Sequence, residues 1–440
     1  MFKQIIERIK SSNIASRLAS GAFWSILGNV IGKGFMLLSF IIVARILGKQ
    51  EYGEMGMIRS TIVMFSIFAG AGISLTASRY IAIYRNTDTY KTQEVYLLSS
   101  YFSIAMGLLI ALLLYFFAPV IAEKSLHSPK LIGDIRIGAC VLFFITLNSA
   151  QNGILSGFEQ FKSIAINASI YGVAQLAFLT IGAYFWGTSG VIIGLGLSAI
   201  VLGVINQYSI HSKTKRIFVQ HIRLRNIRKE TVSILWKFSF PAIMSSILAI
   251  PALWWCKTLV VQADGFGSMA NYDVAEQWNS IILFIPTTLA GMIIPILSNT
   301  LAEGTANQYK KIVSINILFN AAITTVIVLF LYLLTSLILK SYGAEFTDKN
   351  TFRILILSTI PNAISAVLGQ VIASKGKMWA GFVLNLLWAI WLILLSLLFI
   401  QHLKYGALGL AFAVLCAYIL HTIFSYAYMW ARVINKKELL

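Results

Sequence analysis

Long apolar runs alternate with short polar connections along the whole chain. Twelve runs of roughly 20 or more residues, each long enough to cross a bilayer core of about 30 Å, fall at 19–47, 55–84, 93–118, 133–157, 163–186, 188–210, 233–262, 274–300, 311–338, 351–374, 377–400 and 405–431. The pattern predicts an all-α polytopic membrane protein with twelve transmembrane helices. The longest connection, 211–232, is basic and parts the spans six and six, giving an N-terminal bundle at 19–210 and a C-terminal bundle at 233–431, with 432–440 as a tail. Residues 1–18 place Phe2, Ile5, Ile6 and Ile9 on one helical face, with Lys3, Arg8 and Lys10 around it. That spacing predicts an amphipathic helix lying on the cytoplasmic leaflet rather than a cleaved signal peptide.

Composition agrees with the pattern. Of 440 residues, 58% are hydrophobic and only 12% charged, with a mean hydropathy of +0.80, too little charge to cover a soluble domain of this size. The net charge of +19 is resolved by topology rather than by nucleic acid. With both termini cytoplasmic, 21 of the 35 basic residues fall in cytoplasmic segments, seven of them in the central loop, and Lys49, Lys124, Lys130, Lys340, Lys349 and Lys404 make up the 6 outside. Cys140, Cys256 and Cys416 are scattered through apolar segments; neither a disulfide framework nor a metal site is expected, and no cofactor.

The halves repeat faintly. Gln151-x5-Gly157 matches Gln370-x5-Gly376 at an offset of 219, and Met55-x3-Arg59 aligns with Tyr272-x3-Glu276 at an offset of 217. Six spans between copies give a parallel repeat, and transporters of that kind bind substrate between their halves. On this alignment Arg59 and Glu276 are expected on facing walls of a central cleft.

Eight basic residues lie inside or at the ends of spans: Lys33, Arg45, Arg59, Arg79, Arg136, Lys237, Lys257 and Arg353. Each charge at depth costs at least about 2.5–3.5 kcal/mol. The acids at similar depth are few, chiefly Glu276, with Asp134, Asp264 and Asp273 near the outer edge. Lys33 sits near the middle of its span, and Arg59 and Lys257 roughly 7 Å inside theirs; these three read as cations that await an anionic substrate, phosphate above all. Arg136 and Arg353 are shallower candidates for the same role, while Arg45, Arg79 and Lys237 read as snorkelling or paired. Trp254 and Trp255 belong either to an aromatic belt or to a wall that stacks on sugars. Glu276 and Asp264 are the candidates for coupling an ion, H⁺ or Na⁺. Pro241, Pro251, Pro286 and Pro295, with Gly28, Gly32 and Gly34, mark kinks or close packing.

Ala44-Arg45-Ile46-Leu47-Gly48, Glu51-Tyr52-Gly53, Ala71-Gly72-Ile73, Ser78-Arg79-Tyr80, Gln151…Gly157 with Phe161-Lys162, and Pro295-Ile296-Leu297-Ser298 together resemble the polysaccharide repeat-unit (O-antigen, Wzx-type) flippases of the multidrug, oligosaccharidyl-lipid and polysaccharide exporter superfamily. The resemblance covers nearly the whole chain. It implies two pseudo-symmetric six-helix bundles in a V, in the manner of the multidrug exporters (MATE-like), in a bacterial inner membrane. It further implies a substrate of undecaprenyl diphosphate-linked oligosaccharide carried from the cytoplasmic to the periplasmic leaflet, with membrane lipids and the pathway's polymerase and chain-length regulator as partners. Membrane potential is the alternative to H⁺ or Na⁺ coupling. A multidrug exporter of the same fold is the competing reading; a membrane glycosyltransferase or polymerase is the remote one, since it needs a long outer loop or a carboxylate-rich first loop, and here the outer loops are short and no paired-carboxylate motif stands out.

Overall fold

The computed structural model describes residues 13–215, 217–218, 228, 230–231, 248–287, 306–375 and 377–431. The amphipathic segment up to residue 12, most of the central basic loop, Lys237, Pro241, Pro295-Ile296-Leu297-Ser298 and the tail from 432 lie outside them. Among the described residues the chain is helical, with no strand. The helices are α1 (Asn13–Tyr84), α2 (Thr89–Val120), α3 (Ile132–Gly157), α4 (Phe161–Thr214), α5 (Ala249–Ile282), α6 (Ala306–Tyr342), α7 (Lys349–Leu357), α8 (Thr359–Ser374), α9 (Met378–Ser396) and α10 (Gly406–Met429).

Eight helical runs are long and apolar enough to cross a membrane. Two of them, in α1 and α4, are broken at Gly48 and Gly187, and α5 is broken at Gly265. With α7 and α8 taken as one span and α1, α4 and α5 divided at their glycine breaks, the described residues form twelve helical segments. Their outer faces are those of a membrane protein: Phe116, Tyr184, Phe330 and Leu333 are mostly exposed, the reverse of a soluble fold and the arrangement lipid rewards.

The breaks show why two span ends differ from expectation. Lys49, Glu51 and Glu54 suggested a loop before a span beginning at 55, and Asp264 and Asp273 a loop before one beginning at 274. The chain instead turns at one residue. Gly48 (φ 73°, ψ 174°) and Gly265 (φ 78°, ψ 175°) adopt a backbone open essentially to glycine alone, and helix resumes at once. Among the described residues, three further glycines have positive φ: Gly187, Gly343 and Gly406. Gly48 and Gly265 are 217 residues apart, and Gly187 and Gly406 are 219 apart, the two offsets read from the sequence. The repeat is therefore written in the turns as well as in the side chains.

Two compact units emerge. The first comprises Met1–Ile46, Thr61–Ala122 and Ser128–Ile243; the second comprises Leu47–Ser60, Glu123–His127 and Met244–Leu440. In the first, Ala77, Ile81, Val95, Ile154, Leu155, Phe158 and Ile210 form a buried cluster. There Gly153 lies so close to the Ser74 backbone that a Cβ would overlap it, the small-residue packing typical of helices in lipid. In the second, Tyr309, Val313, Leu368, Val371 and Met429 pack together.

The second unit also shows why Leu47–Ser60 belongs to it. That segment packs on its own repeat mate. Gly267 N–H donates to Gln50 Oε1 at 3.1 Å, and the Gly56 Cα faces the Asp273 carboxylate; each pair is separated by 217 residues. Gly53 meets the Phe266 carbonyl, where a Cβ would overlap it. The contact is ringed by Tyr52, edge-on to Tyr342 and Phe346, and by Lys49 N–H donating to Glu345 at 2.9 Å.

Candidate functional site

The turn at Gly265 starts the helix that carries Asp273, Glu276 and Gln277. Spacings of three and four residues put all three side chains on one helical face. The turn at Gly48 does the same for Tyr52, Arg59 and Ser60. These two faces meet within the second unit, and the charges meet with them.

Arg59 Nη2 lies 2.6 Å from Asp273 Oδ1, and Asp273 is nearly inaccessible at 1%. Gln277 Nε2 donates both to the other carboxylate oxygen of Asp273 at 3.0 Å and to the Tyr52 hydroxyl at 2.5 Å. The Tyr342 hydroxyl donates to Gln277 Oε1 at 3.4 Å. Beside this network, Lys257 Nζ lies 2.6 Å from Glu276 Oε2 and donates to Ser60 Oγ at 3.3 Å. It also sits 5.6 Å above the Tyr272 ring. The Lys257 side chain is 5% exposed and that of Glu276 29%.

These contacts correct two expectations. Arg59 and Lys257 are not unneutralised, because each has a carboxylate, and Asp273 supplies the one that sequence reading had placed at the outer edge. With α1 turning at Gly48, Arg59 is eleven residues inside its helix, about 16 Å rather than 7 Å; Asp273 and Lys257 each lie eight residues from Gly265, about 12 Å. Nor do Arg59 and Glu276 stand on facing walls of a cleft. Ser60, next to Arg59, and Glu276 share the Lys257 ammonium within one unit. Asp273 was missed because its helix start was misplaced; the i, i+3, i+4 run of Asp273, Glu276 and Gln277 is the signal that finds it.

The remaining candidates are dispersed. Lys33 is half-buried in α1, within the first unit. Arg136 is exposed with its guanidinium 5.0 Å above the Tyr115 ring, and Arg353 stacks 4.4 Å above Tyr332. Arg79 sits over Tyr80 at 5.9 Å, and Arg45 is exposed. Such cation–π seats suit basic residues near a membrane surface. Trp254 is half-buried and Trp255 exposed. Asp264 is exposed at the Gly265 turn, in a polar cleft of about 370 Å³ shared with Lys49 and Asp348.

A second, larger groove of about 500 Å³ lies in the first unit between α3 and the C-terminal part of α4.

The family model for polysaccharide biosynthesis proteins matches residues 18–301. The chain belongs to that family. Its relatives include the EPS I polysaccharide export inner membrane protein EpsE of Ralstonia solanacearum, 24% identical over 400 residues covering 88% of each chain. Another is the "Putative O-antigen transporter" of Shigella flexneri, 23% identical over 403 residues covering 90% of this chain and 93% of that one. Both relatives are named as export or transport proteins, not enzymes. The fold is that of the MOP superfamily. An inward-facing multidrug resistance MATE family transporter superposes with a TM-score of 0.78 at 15% identity, over 93% of this chain and 98% of that one. A MOP superfamily transporter from Pyrococcus furiosus, described by the reverse polarity of its binding pocket, gives 0.68 at 15%, over 94% and 95%.

Proposed function

We propose that this family member exports polysaccharide precursors, moving a diphosphate-linked lipid oligosaccharide from the cytoplasmic to the opposite leaflet by alternating access. Family membership and the names of the full-length relatives support the substrate class. The observation that carries the residue-level reading is the Lys257–Glu276 pair. A lysine held in the membrane interior by a partly exposed carboxylate is an exchangeable cation. Protonation of Glu276, or arrival of a phosphate oxygen, frees the ammonium for the anion. Ion coupling is therefore assigned to Glu276 rather than to Asp264, which lies at a water-facing turn. Arg59 binds Asp273 with its carboxylate almost wholly buried; it fixes the geometry of the face on which Lys257 sits. Lys33, half-buried in the first unit, is the candidate there for contact with the diphosphate. Arg136, Arg353, Trp254 and Trp255 serve the approach of headgroup and sugars rather than the central step. The lipid tail stays in the bilayer, and the undecaprenyl chain, membrane lipids and later polymerising enzymes are the partners this reading requires.

Two negative charges moving outward through an inside-negative potential of about 100 mV release roughly 4–5 kcal/mol, so the potential alone is a sufficient driving force. Coupling through Glu276 is tested in vesicles with the potential clamped to zero and a pH gradient kept. Transport that persists under the clamp and stops in Glu276→Gln supports coupling; transport that follows the potential alone overturns it. Display of surface polysaccharide by a flippase-null strain tests the site itself: Lys257→Met abolishes display, and full display with that variant refutes the assignment. A multidrug exporter would instead confer resistance to cationic drugs, a readout taken from the same strain.

A further inference from the structure

Asn279 lies one helical turn beyond Glu276 on α5, and the ion-pair site makes no use of it. Its side chain reaches the break at Ser358 between α7 and α8. Asn279 Nδ2 donates to the Leu355 carbonyl and to Ser358 Oγ, both at 3.3 Å. The break has a chemical cause. Pro361 carries no N–H, so the Leu357 carbonyl loses the partner a helix would give it, and the proline ring crowds that carbonyl. Nearby hydroxyls cover the disrupted turn. Ser358 Oγ donates to the Leu355 carbonyl at 2.6 Å and Thr359 Oγ1 to the Ile356 carbonyl at 2.5 Å, and both residues are wholly buried. The first half has no such break. At the repeat offset of 219 Pro361 becomes Leu142, and α3 runs unbroken through it; at the offset of 217 Asn279 becomes Ile62.

Polar contacts tie the two arms of this bend to different helices. The α7 arm is held by α5, through Asn279 and through Trp278, whose ring meets Phe352 edge-on at 6.4 Å. The α8 arm is held by α10. Thr422 Oγ1 faces the Pro361 carbonyl at 2.9 Å and the Tyr418 carbonyl at 2.8 Å; both only accept, so its one hydrogen points there. Ser365 Oγ, 2.7 Å away, must then donate to Thr422. His421 Nδ1, 3.1 Å from Ser365 Oγ, must in turn donate to Ser365. The α5 tie is the weaker of the two. Its bonds are long for hydrogen bonds, and Ser358 Oγ keeps its bond to the Leu355 carbonyl when Asn279 withdraws.

We propose that the Ser358–Pro361 bend is a hinge and that Asn279 is the positioning residue that couples it to the Lys257–Glu276 pair. When Lys257 leaves Glu276, α5 repositions, Asn279 releases Ser358, and α8 swings with α10 about the proline. The part this plays in transport rests on the export reading above; the hinge itself rests on the bend and its two ties.

The test uses the full chain in nanodiscs, with Cys140, Cys256 and Cys416 replaced by alanine. A trifluoromethyl label goes on Gly369→Cys, an exposed α8 position with open space around it, and fluorine NMR reads the position of α8. Glu276→Gln, which removes the carboxylate charge, shifts the label's resonance. Asn279→Leu, close in shape but without a donor, removes that response. Pro361→Ala, which returns the missing N–H, holds α8 in one state. In vesicles, Asn279→Leu and Pro361→Ala each lower the translocation rate of a diphosphate-linked lipid oligosaccharide roughly tenfold, while its apparent affinity is unchanged. The double variant is no slower than Pro361→Ala alone, because both act through one hinge; two merely structural losses would add. A resonance that ignores Glu276→Gln, a response that survives Asn279→Leu, or additive losses in the double variant each overturns the hinge. Lys257→Met separates the two readings. Lost display beside a resonance that ignores Glu276→Gln sinks the hinge and leaves the export site; normal display beside a resonance that follows Glu276→Gln through Asn279 sinks the export site and leaves the hinge.

Discussion

Removing the Lys257 ammonium leaves Glu276 beside Ser60 and Tyr272 with no cation in its place. Breaking a buried pair by deleting one partner costs about 3–5 kcal/mol. Glu276 is 29% exposed, so water relieves part of that loss and the expected destabilisation of Lys257→Met is about 1–3 kcal/mol. Neutralising both partners removes the stranded charge. Lys257→Met/Glu276→Gln should therefore recover most of the stability, leaving an apolar-for-ionic exchange that is close to neutral. The assay is thermal unfolding of the purified protein in detergent, run as a double-mutant cycle beside surface-polysaccharide display. Stability should return in the double variant while display does not, because the Lys257 ammonium that meets the diphosphate is gone. A double variant that unfolds as early as Lys257→Met would refute the ion-pair energetics. Restored display in the double variant would refute the anion role.

Other consequences are equally direct. Asp273→Ala takes the buried carboxylate from Arg59 and an acceptor from Gln277; it should cost about 3–5 kcal/mol, more than Glu276→Ala, as seen in the yield of folded protein on fluorescence-detected gel filtration. Gly53→Ala puts a Cβ into the Phe266 carbonyl and should lower thermal stability by about 1–3 kcal/mol, whereas Gly34→Ala, with open space around it, should not. Glu94 is wholly buried at the N-terminal end of α2 and accepts from Arg228 N–H at 2.9 Å and from the Thr231 hydroxyl at 2.8 Å. Glu94→Ala should cost about 1–3 kcal/mol and speed proteolysis in the central loop, measured by limited trypsin digestion.

Much of the architecture was legible in the chain because hydrophobic length is a strong signal in a membrane protein. The long apolar runs and the offsets of 217 and 219 could be read without coordinates. The failures share one cause. Lys49, Glu51, Glu54, Asp264 and Asp273 looked like loop residues because polar clusters usually are, yet a glycine at Gly48 and at Gly265 turns the chain in one residue and returns it to helix. That slip moved Arg59 and Asp273 too close to the surface and hid the carboxylate that neutralises Arg59. Pairing of Leu47–Ser60 with its repeat mate was likewise invisible, since a contact between residues 217 apart follows from pseudo-symmetry and leaves no local trace. Glu276 and Lys257 were recognised separately as membrane-embedded charges. Their partnership needed the helix phase, which the Gly265 turn supplies.

In the proposed mechanism Lys257, released from Glu276, meets the diphosphate of a lipid-linked oligosaccharide during its passage across the membrane. The most direct measurement is translocation of a diphosphate-linked lipid oligosaccharide by the purified protein in proteoliposomes, comparing wild type with Lys257→Met at equal reconstituted amounts and with folding verified by gel filtration. The wild type should give protein-dependent translocation, and Lys257→Met a rate at the protein-free background. A folded Lys257→Met protein that translocates at the wild-type rate would contradict this mechanism.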